Sequence, residues 1–266
     1  MSQATDETTA TTASREDTPI LSTDGLTKKF GTLTAVNDVS LEIPGDQISS
    51  IIGPNGAGKT TLFNLFTGKH APTRGKIEFR GDQIGGMEPH ELVDHGIVRS
   101  FQITNFFNDL TALENVRLAT QGPHTGFQPR DFLTHHNQLT DAITDAEAVL
   151  ERINLSDVAD RKAANLSYGQ RRHLEIGISL AADPELLLMD EPTAGMSPEE
   201  TQETVELIEE IASDISLILI EHDMEIVMGI SSHIAVMNSG ELLARGTPDE
   251  IRNDSRVQEA YLGGGG

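Results

Sequence analysis

Gly53-Pro54-Asn55-Gly56-Ala57-Gly58-Lys59-Thr60 fits the pattern G-x-x-x-x-G-K-[ST], in which a glycine-rich loop turns backbone N–H groups toward phosphate oxygens at the start of a helix. Gly53, Gly56 and Gly58 stand where a side chain would block that approach. Upstream, Gln47-Ile48-Ser49-Ser50-Ile51-Ile52 reads as a buried strand; downstream, Leu62, Phe63, Leu65 and Phe66 recur at helical spacing. Strand, loop and helix therefore stand in the order that phosphate binding needs. In that arrangement Lys59 bridges the β- and γ-phosphates of a nucleotide and Thr60 offers its hydroxyl to Mg²⁺. Thr61, Asn55 and the amides of Gly56 and Gly58 add hydrogen bonds to the phosphates.

Working outward, Glu185-Leu186-Leu187-Leu188-Met189-Asp190 leads an apolar run into an acid. Such a run suits a strand buried on both faces of a parallel sheet, with Asp190 emerging at the carboxyl end, where open α/β sheets bind ligands. Asp190 is then expected to hold Mg²⁺, mainly through water. Glu191 follows directly. A second carboxylate beside the first is unfavourable unless a cation or a reacting water uses it, which makes Glu191 the candidate general base. Two acids merely closing a strand would be unremarkable in so acidic a chain, but not downstream of a phosphate loop.

Leu166-Ser167-Tyr168-Gly169-Gln170 and Glu221-His222-Asp223 complete a set that resembles the nucleotide-binding subunits of ATP-binding cassette (ABC) transporters. The first is similar to the family signature LSGGQ, with Tyr168 in place of a glycine. The resemblance implies an α/β fold: a P-loop NTPase, RecA-like core with an antiparallel β subdomain and an inserted α-helical subdomain. It implies ATP hydrolysis with Mg²⁺, at a site shared between two copies. Ser167, Gly169 and Gln170 of one copy close over the γ-phosphate held by the other, and Ser167 is equally well placed to be the N-cap of the helix after it. Gln102 is similar to the family's Q-loop glutamine, touching Mg²⁺ or the attacking water. His222 resembles the switch histidine on the γ-phosphate. Phe30, with Val36, falls at about the spacing of the adenine platform. The chain departs from the broad family at Ala194-Gly195-Met196-Ser197-Pro198, where many members carry Ser-Ala-Leu-Asp after the glutamate.

Val98 to Gln102, Asn105-Phe106-Phe107, Leu110 to Val116, Glu221 to Ser231 and Gln258 to Gly263 are similar to a narrower subgroup, the ATP-binding subunits of importers for branched-chain amino acids, with urea and related amides as neighbours. That similarity implies a second ATP-binding subunit, identical or paralogous, two transmembrane permease subunits and an extracytoplasmic solute-binding protein. It places the chain peripherally on the cytoplasmic face of the membrane. The rival expectations are a non-transport ABC ATPase of translation or DNA maintenance and a nucleotide kinase. Translation members usually join two cassettes and DNA members separate theirs with coiled coils. A kinase has no use for the signature.

No apolar run reaches the roughly 18–20 residues that span a bilayer, and the absence of cysteine excludes disulfides and thiolate metal sites. The 42 acidic against 19 basic residues, net −23, argue against nucleic acid as a partner. ATP remains accommodated locally by Lys59, amides and Mg²⁺. Self-repulsion on this scale is screened at about 1 M salt, where the Debye length is about 3 Å, so a salt-accumulating, halophilic cytoplasm is expected. Residues 1–19, rich in Thr, Ser and acids, read as a disordered leader. A single ABC ATPase domain follows over 20–263, with strands about Glu42–Pro44 and Lys76–Phe79 in the antiparallel part. The helical subdomain covers about 103–170, with helices near Leu110–Leu118 and Ala142–Ile153. Thr120–His136 reads as a loop whose His124, His135 and His136 lack metal-ligand spacing. Beyond Pro198, a helix over Glu199–Ala212, a strand over Ile215–Ile220, a helix over Met224–Ile230 and a hairpin over Ile234–Arg245 turning at Asn238-Ser239-Gly240 complete the core. Residues 264–266 read as a flexible tail.

Overall fold

The computed structural model describes residues 18–100, 106–120 and 135–262. The strands are β1 (Leu21–Phe30), β2 (Leu33–Ile43), β3 (Ile48–Ile52), β4 (Arg74–Phe79), β5 (Asp82–Gln83), β6 (Ile97–Arg99), β7 (Leu186–Asp190), β8 (Ser216–Ile220), β9 (His233–Asn238) and β10 (Glu241–Gly246). The helices are α1 (Lys59–Phe66), α2 (Pro89–Asp94), α3 (Ala112–Thr120), α4 (His135–Arg152), α5 (Tyr168–Leu180), α6 (Pro198–Ile211), α7 (Met224–Ile230), α8 (Pro248–Asn253) and α9 (Ser255–Leu262).

The larger sheet has the order β10-β9-β3-β8-β7-β6 and is parallel except for β10. Every residue of β3, β7 and β8 is buried, as continuous apolar strands require when both sheet faces are covered. The period of two then sorts the side chains between two cores. Leu186, Leu188, Ile218 and Ile220 join α1 and the smaller sheet, while Leu187, Met189, Leu217 and Leu219 join the layer that holds α3, α5 and α6. A third cluster lies under α7, α8 and α9. Fully burying each such side chain contributes about 1.5–3 kcal/mol, so the centre of the sheet is a main source of the fold's stability. The smaller antiparallel sheet, β2-β1-β4-β5, packs on the first core.

In its parallel strands the sheet points all its carboxyl ends one way, so the segments after β3, β6, β7 and β8 leave from one edge. These segments contain the phosphate loop, the stretch leading toward Gln102, Asp190-Glu191 and Glu221-His222. The β9–β10 hairpin turns through Ser239 (φ 51°) and Gly240 (φ 84°), the paired positive dihedrals of a tight hairpin turn. The Gly240 amide donates to Ala57 O at 2.9 Å, and the Asn37 amide donates to Gly240 O at 2.8 Å. One turn thus ties the smaller sheet to the phosphate loop.

The expected strand near Glu42–Pro44 is the end of the longer β2, and β1, β5, β6, α2, α8 and α9 add to the expected elements. β6 is only three residues long and carries no alternation to read. Helix α4 begins at His135, so the expected loop is shorter at that end. His124, Gln102, the leader through residue 17 and the tail from 263 lie outside the described residues.

Candidate functional site

Gly58 is the N-cap of α1 at φ 98°, and a β-carbon there would come within 2.5 Å of Ala35 O. Only glycine permits both that dihedral and that approach. Lys59, buried at 6% exposure, folds back so that Nζ donates to Gly53 O (2.6 Å) and Pro54 O (3.1 Å). Burial pushes its ammonium below the usual lysine range, against the opposing pull of Glu191 and Asp190. A buried cation held by its own loop's carbonyls is arranged to receive an anion. Asn55, Gly56, Thr60 and Thr61 surround it at the loop and the first turn of α1. Asn55, Gly56 and Thr60 are exposed and Thr61 is half-buried.

Asp190 ends β7 at 3% exposure, and Oδ2 lies 3.1 Å from Arg99 Nη2. Burial pushes the Asp190 carboxyl up, the Arg99 guanidinium opposes this, and Glu191 adds to the rise. Arg99 also donates to Asn64 Oδ1 at 2.9 Å and stacks its cation 5.0 Å from the centre of Phe63. The sequence drew no attention to Arg99, whose only signal is its place three residues before Gln102.

Glu191 has a left-handed backbone, φ 49°, uncommon for a residue with a β-carbon and found disproportionately at reactive positions. Its amide still donates to Ile220 O (2.8 Å), and its carbonyl accepts from Arg172 Nη2 (2.8 Å). Arg172 also donates to Asp190 O (3.1 Å) and Pro192 O (3.0 Å), so one guanidinium from α5 holds three successive carbonyls of this turn. His222 Nε2 lies 2.7 Å from Glu191 Oε1, so the structure brings two of the expected catalytic residues into direct contact. Glu221, 5% exposed, accepts from the amide and hydroxyl of Thr193 (3.1 and 2.7 Å) and from the His222 amide (3.1 Å). Glu221 was readable, as the residue immediately before His222. Arg172 was not, because an arginine two places after Gln170 looks like a solvated charge.

Ser167 is exposed and caps α5: its Oγ accepts from the Gln170 amide at 3.1 Å, while Gln170 Oε1 accepts from the Ser167 amide at 3.0 Å. The expected cap role is present, and Gln170 forms the reciprocal half of a capping box. The Gly169 amide donates to Glu200 Oε1 at 3.0 Å, a partner from α6.

On the opposite flank Phe30 is 42% exposed, with His70 edge-on at 5.2 Å between ring centres and Lys28 Nζ 5.1 Å from the ring. An aromatic exposed to this degree keeps ring surface on which a planar base can stack. Val36 differs from its expected place. It is fully buried in the first core, so it backs this flank without surface for a ligand. Positions 39, 41 and 43 of β2 alternate inward, and the irregularity at Asp38 (φ 54°) breaks that alternation so that Val36 turns inward as well.

The donor chemistry fits Mg²⁺. Thr60 and Asp190 supply oxygen ligands of the kind a hard cation takes. Among the described residues no group of three or more His, Cys, Asp or Glu is gathered to hold a metal. An ion that completes its shell with water and phosphate oxygens needs no such cage.

The family model described as ABC transporter matches residues 36–194, from the smaller sheet through the loop after Glu191. A second, described as branched-chain amino acid ATP-binding cassette transporter, matches residues 241–266. The chain is 45% identical over 251 residues to the high-affinity branched-chain amino acid transport ATP-binding protein BraF of Pseudomonas aeruginosa, covering 92% of this chain and 98% of that protein. It is 45% identical over 250 residues to LivG of Escherichia coli, with the same coverage. The probable LivG of Methanocaldococcus jannaschii is 35% identical, over 94% of this chain and 99% of that protein. Among solved structures, a nucleotide-free ATP-binding cassette from an ABC transporter superposes with a TM-score of 0.79 at 34% identity, covering 91% of this chain and 98% of the other. An ABC transporter cassette in its ADP conformation gives 0.79 at 33% identity, covering 92% and 98%. With relatives this similar along nearly its whole length, the chain belongs to the ABC transporter family, among the subunits that bind and hydrolyse ATP.

Proposed function

We propose that this chain powers the uptake of branched-chain amino acids, or of a related small solute such as urea or an amide, through two partner permease subunits. It would work at the cytoplasmic face of the membrane, paired with a second ATP-binding subunit and supplied by an extracytoplasmic solute-binding protein. The names of relatives at 45% identity support the solute class. Among the described residues no helix is long and apolar enough to cross a membrane, which suits a peripheral role. The observation that carries the reading is the contact of Glu191 with His222 at the same sheet edge as Lys59 and Asp190.

In this reading Phe30 stacks on adenine, and Asn55, the loop amides, Lys59 and Thr61 hold the phosphates. Thr60, Asp190 and Gln102 hold Mg²⁺, which when bound neutralises charge on the phosphate oxygens. Glu191 accepts a proton from the attacking water as its oxygen bonds to the γ-phosphorus, and the bond from that phosphorus to the β–γ bridging oxygen breaks. His222 orients both the γ-phosphate and Glu191. Ser167 and Gly169 of the second subunit close the site, with Gln170 holding their loop in shape.

Glu191→Gln is expected to retain ATP-driven pairing and to lose on the order of 10² to 10⁴ in turnover, measured as phosphate release. Near-normal turnover would remove Glu191 from the role of base. Co-purification with hydrophobic permease subunits tests the transport assignment, and recovery with ribosomes or DNA instead would overturn it. The net charge of −23 further supports a salt-rich cytoplasm. Melting temperature should rise steadily from low to multimolar KCl, and a flat series would exclude that setting.

A further inference from the structure

The two departures from the broad family pattern, Tyr168 and the Ala194–Pro198 loop, meet in the structure. Tyr168 Oη donates to Ala194 O at 2.9 Å. A β-carbon on Gly195 (φ 78°) would stand 3.4 Å from the same hydroxyl, so the phenol lies against the one residue of the loop with no side chain. One residue further along α5, the Gly169 amide donates to Glu200 Oε1, and Glu200 Oε2 accepts from the Ser197 amide at 3.1 Å. A β-carbon on Gly169 would come within 3.1 Å of Glu200 Oε1 and Cγ, so the carboxylate lies close against the bare Cα and would have to give by a few tenths of an ångström to a side chain there. Tyr168 and Glu200 therefore grip the first turn of α5 and the two ends of the 194–197 loop together. The loop is joined in turn to the base, because the Ala194 amide donates to Glu191 O at 3.2 Å.

We propose that Tyr168 and Glu200 clamp the signature loop to the 194–197 loop within one subunit, making them one body that carries the coupling between the two nucleotide sites. The proposal rests on the shared-site reading above. Ser167 and Gly169 would answer to the nucleotide of the partner subunit, while Glu191 serves the nucleotide of its own. Displacement at the signature loop passes through Tyr168 Oη to the Ala194 peptide and from there to the Glu191 carbonyl. Arg172, bonded to the same carbonyl from the next turn of α5, keeps that helix and the Glu191 turn in register. Tyr168 and Glu200 are thus positioning residues. Neither needs to touch nucleotide.

Tyr168→Phe in the full chain removes one hydrogen bond and keeps the ring. Amide hydrogen exchange at 195–197 without nucleotide should quicken by about 2- to 12-fold, the range spanned by one neutral hydrogen bond. Nucleotide affinity at ATP concentrations too low for pairing should change by less than about 2-fold, below the bottom of that range. The Hill coefficient of ATP hydrolysis should drop from above 1 in the wild type to near 1. Tyr168→Gly, which restores the residue common in the broad family, should match Tyr168→Phe. Unchanged exchange, or equal Hill coefficients in wild type and both variants, overturns the clamp and leaves the site reading standing. A wild-type chain that binds no MgATP overturns both.

Discussion

The two faces that would enclose a nucleotide are built on opposite principles. The phosphate-loop face is made of backbone. Its shape follows from Gly58 at positive φ, from the Gly240 turn bonded to Ala57, and from Lys59 folded against Gly53 and Pro54. The signature face is held by side chains that take up backbone groups: Ser167 and Gln170 each other's amides, Glu200 the Gly169 amide, Tyr168 the Ala194 carbonyl. A backbone cradle surrounded by packed core keeps its form alone. A helix terminus capped by its own chain can be stable and still offer little until something competes for its donors. The comparison teaches that the loop is ready for phosphate before any partner arrives, whereas the signature end is closed on itself.

Substitutions on each face should break this contrast differently. Lys59→Ala should weaken MgATP binding by about 10- to 150-fold, the range for a hydrogen-bonded charged group, read by nucleotide titration of the unpaired chain. Unaltered affinity would mean the cradle does not need its cation. Gly58→Ala should destabilise the apo chain by about 1–3 kcal/mol in urea unfolding, since it forces a β-carbon residue into a strained dihedral against Ala35 O. Ser167→Ala should cost about 1 kcal/mol as a lost cap while leaving nucleotide affinity of the unpaired chain unchanged. A drop in that affinity would place Ser167 on the nucleotide of its own subunit and erase the division between the faces.

The same contrast governs what was legible in the sequence. The phosphate loop, β3, α1, β7, β8, α7 and the final hairpin follow from glycine placement and apolar periodicity, both local signals. Asp190 and Glu191 were read from the apolar strand they follow, and His222 from its resemblance to the family's switch histidine. Arg99, Arg172 and Glu200 were missed because their partners lie far along the chain, and a charged side chain facing distant carbonyls or amides leaves no periodic trace. Glu200 did carry a local sign, the Ser197-x-x-Glu200 spacing of a capping box, and Thr247-x-x-Glu250 marked the start of α8 in the same way. Neither spacing shows the reach from Glu200 to Gly169. The positive φ of Glu191 was also hidden, because nothing about a glutamate announces it. Val36 shows the opposite limit: spacing from the phosphate loop set it beside Phe30, and the irregularity at Asp38 that buries it leaves no periodic sign.

The Gly240 turn touches both the strand behind the aromatic platform and the loop beneath the phosphates, which makes it a caliper between the two ends of a nucleotide. Slipping β2, together with the β1 strand paired to it, by one residue against the turn would displace Phe30 at the end of β1 by about 3.3 Å, about the thickness of a stacked base. In the proposed reading, selection among nucleotides by length, adenosine triphosphate over shorter or longer anions, is calibrated by a hairpin whose bonds at Gly240 are backbone to backbone.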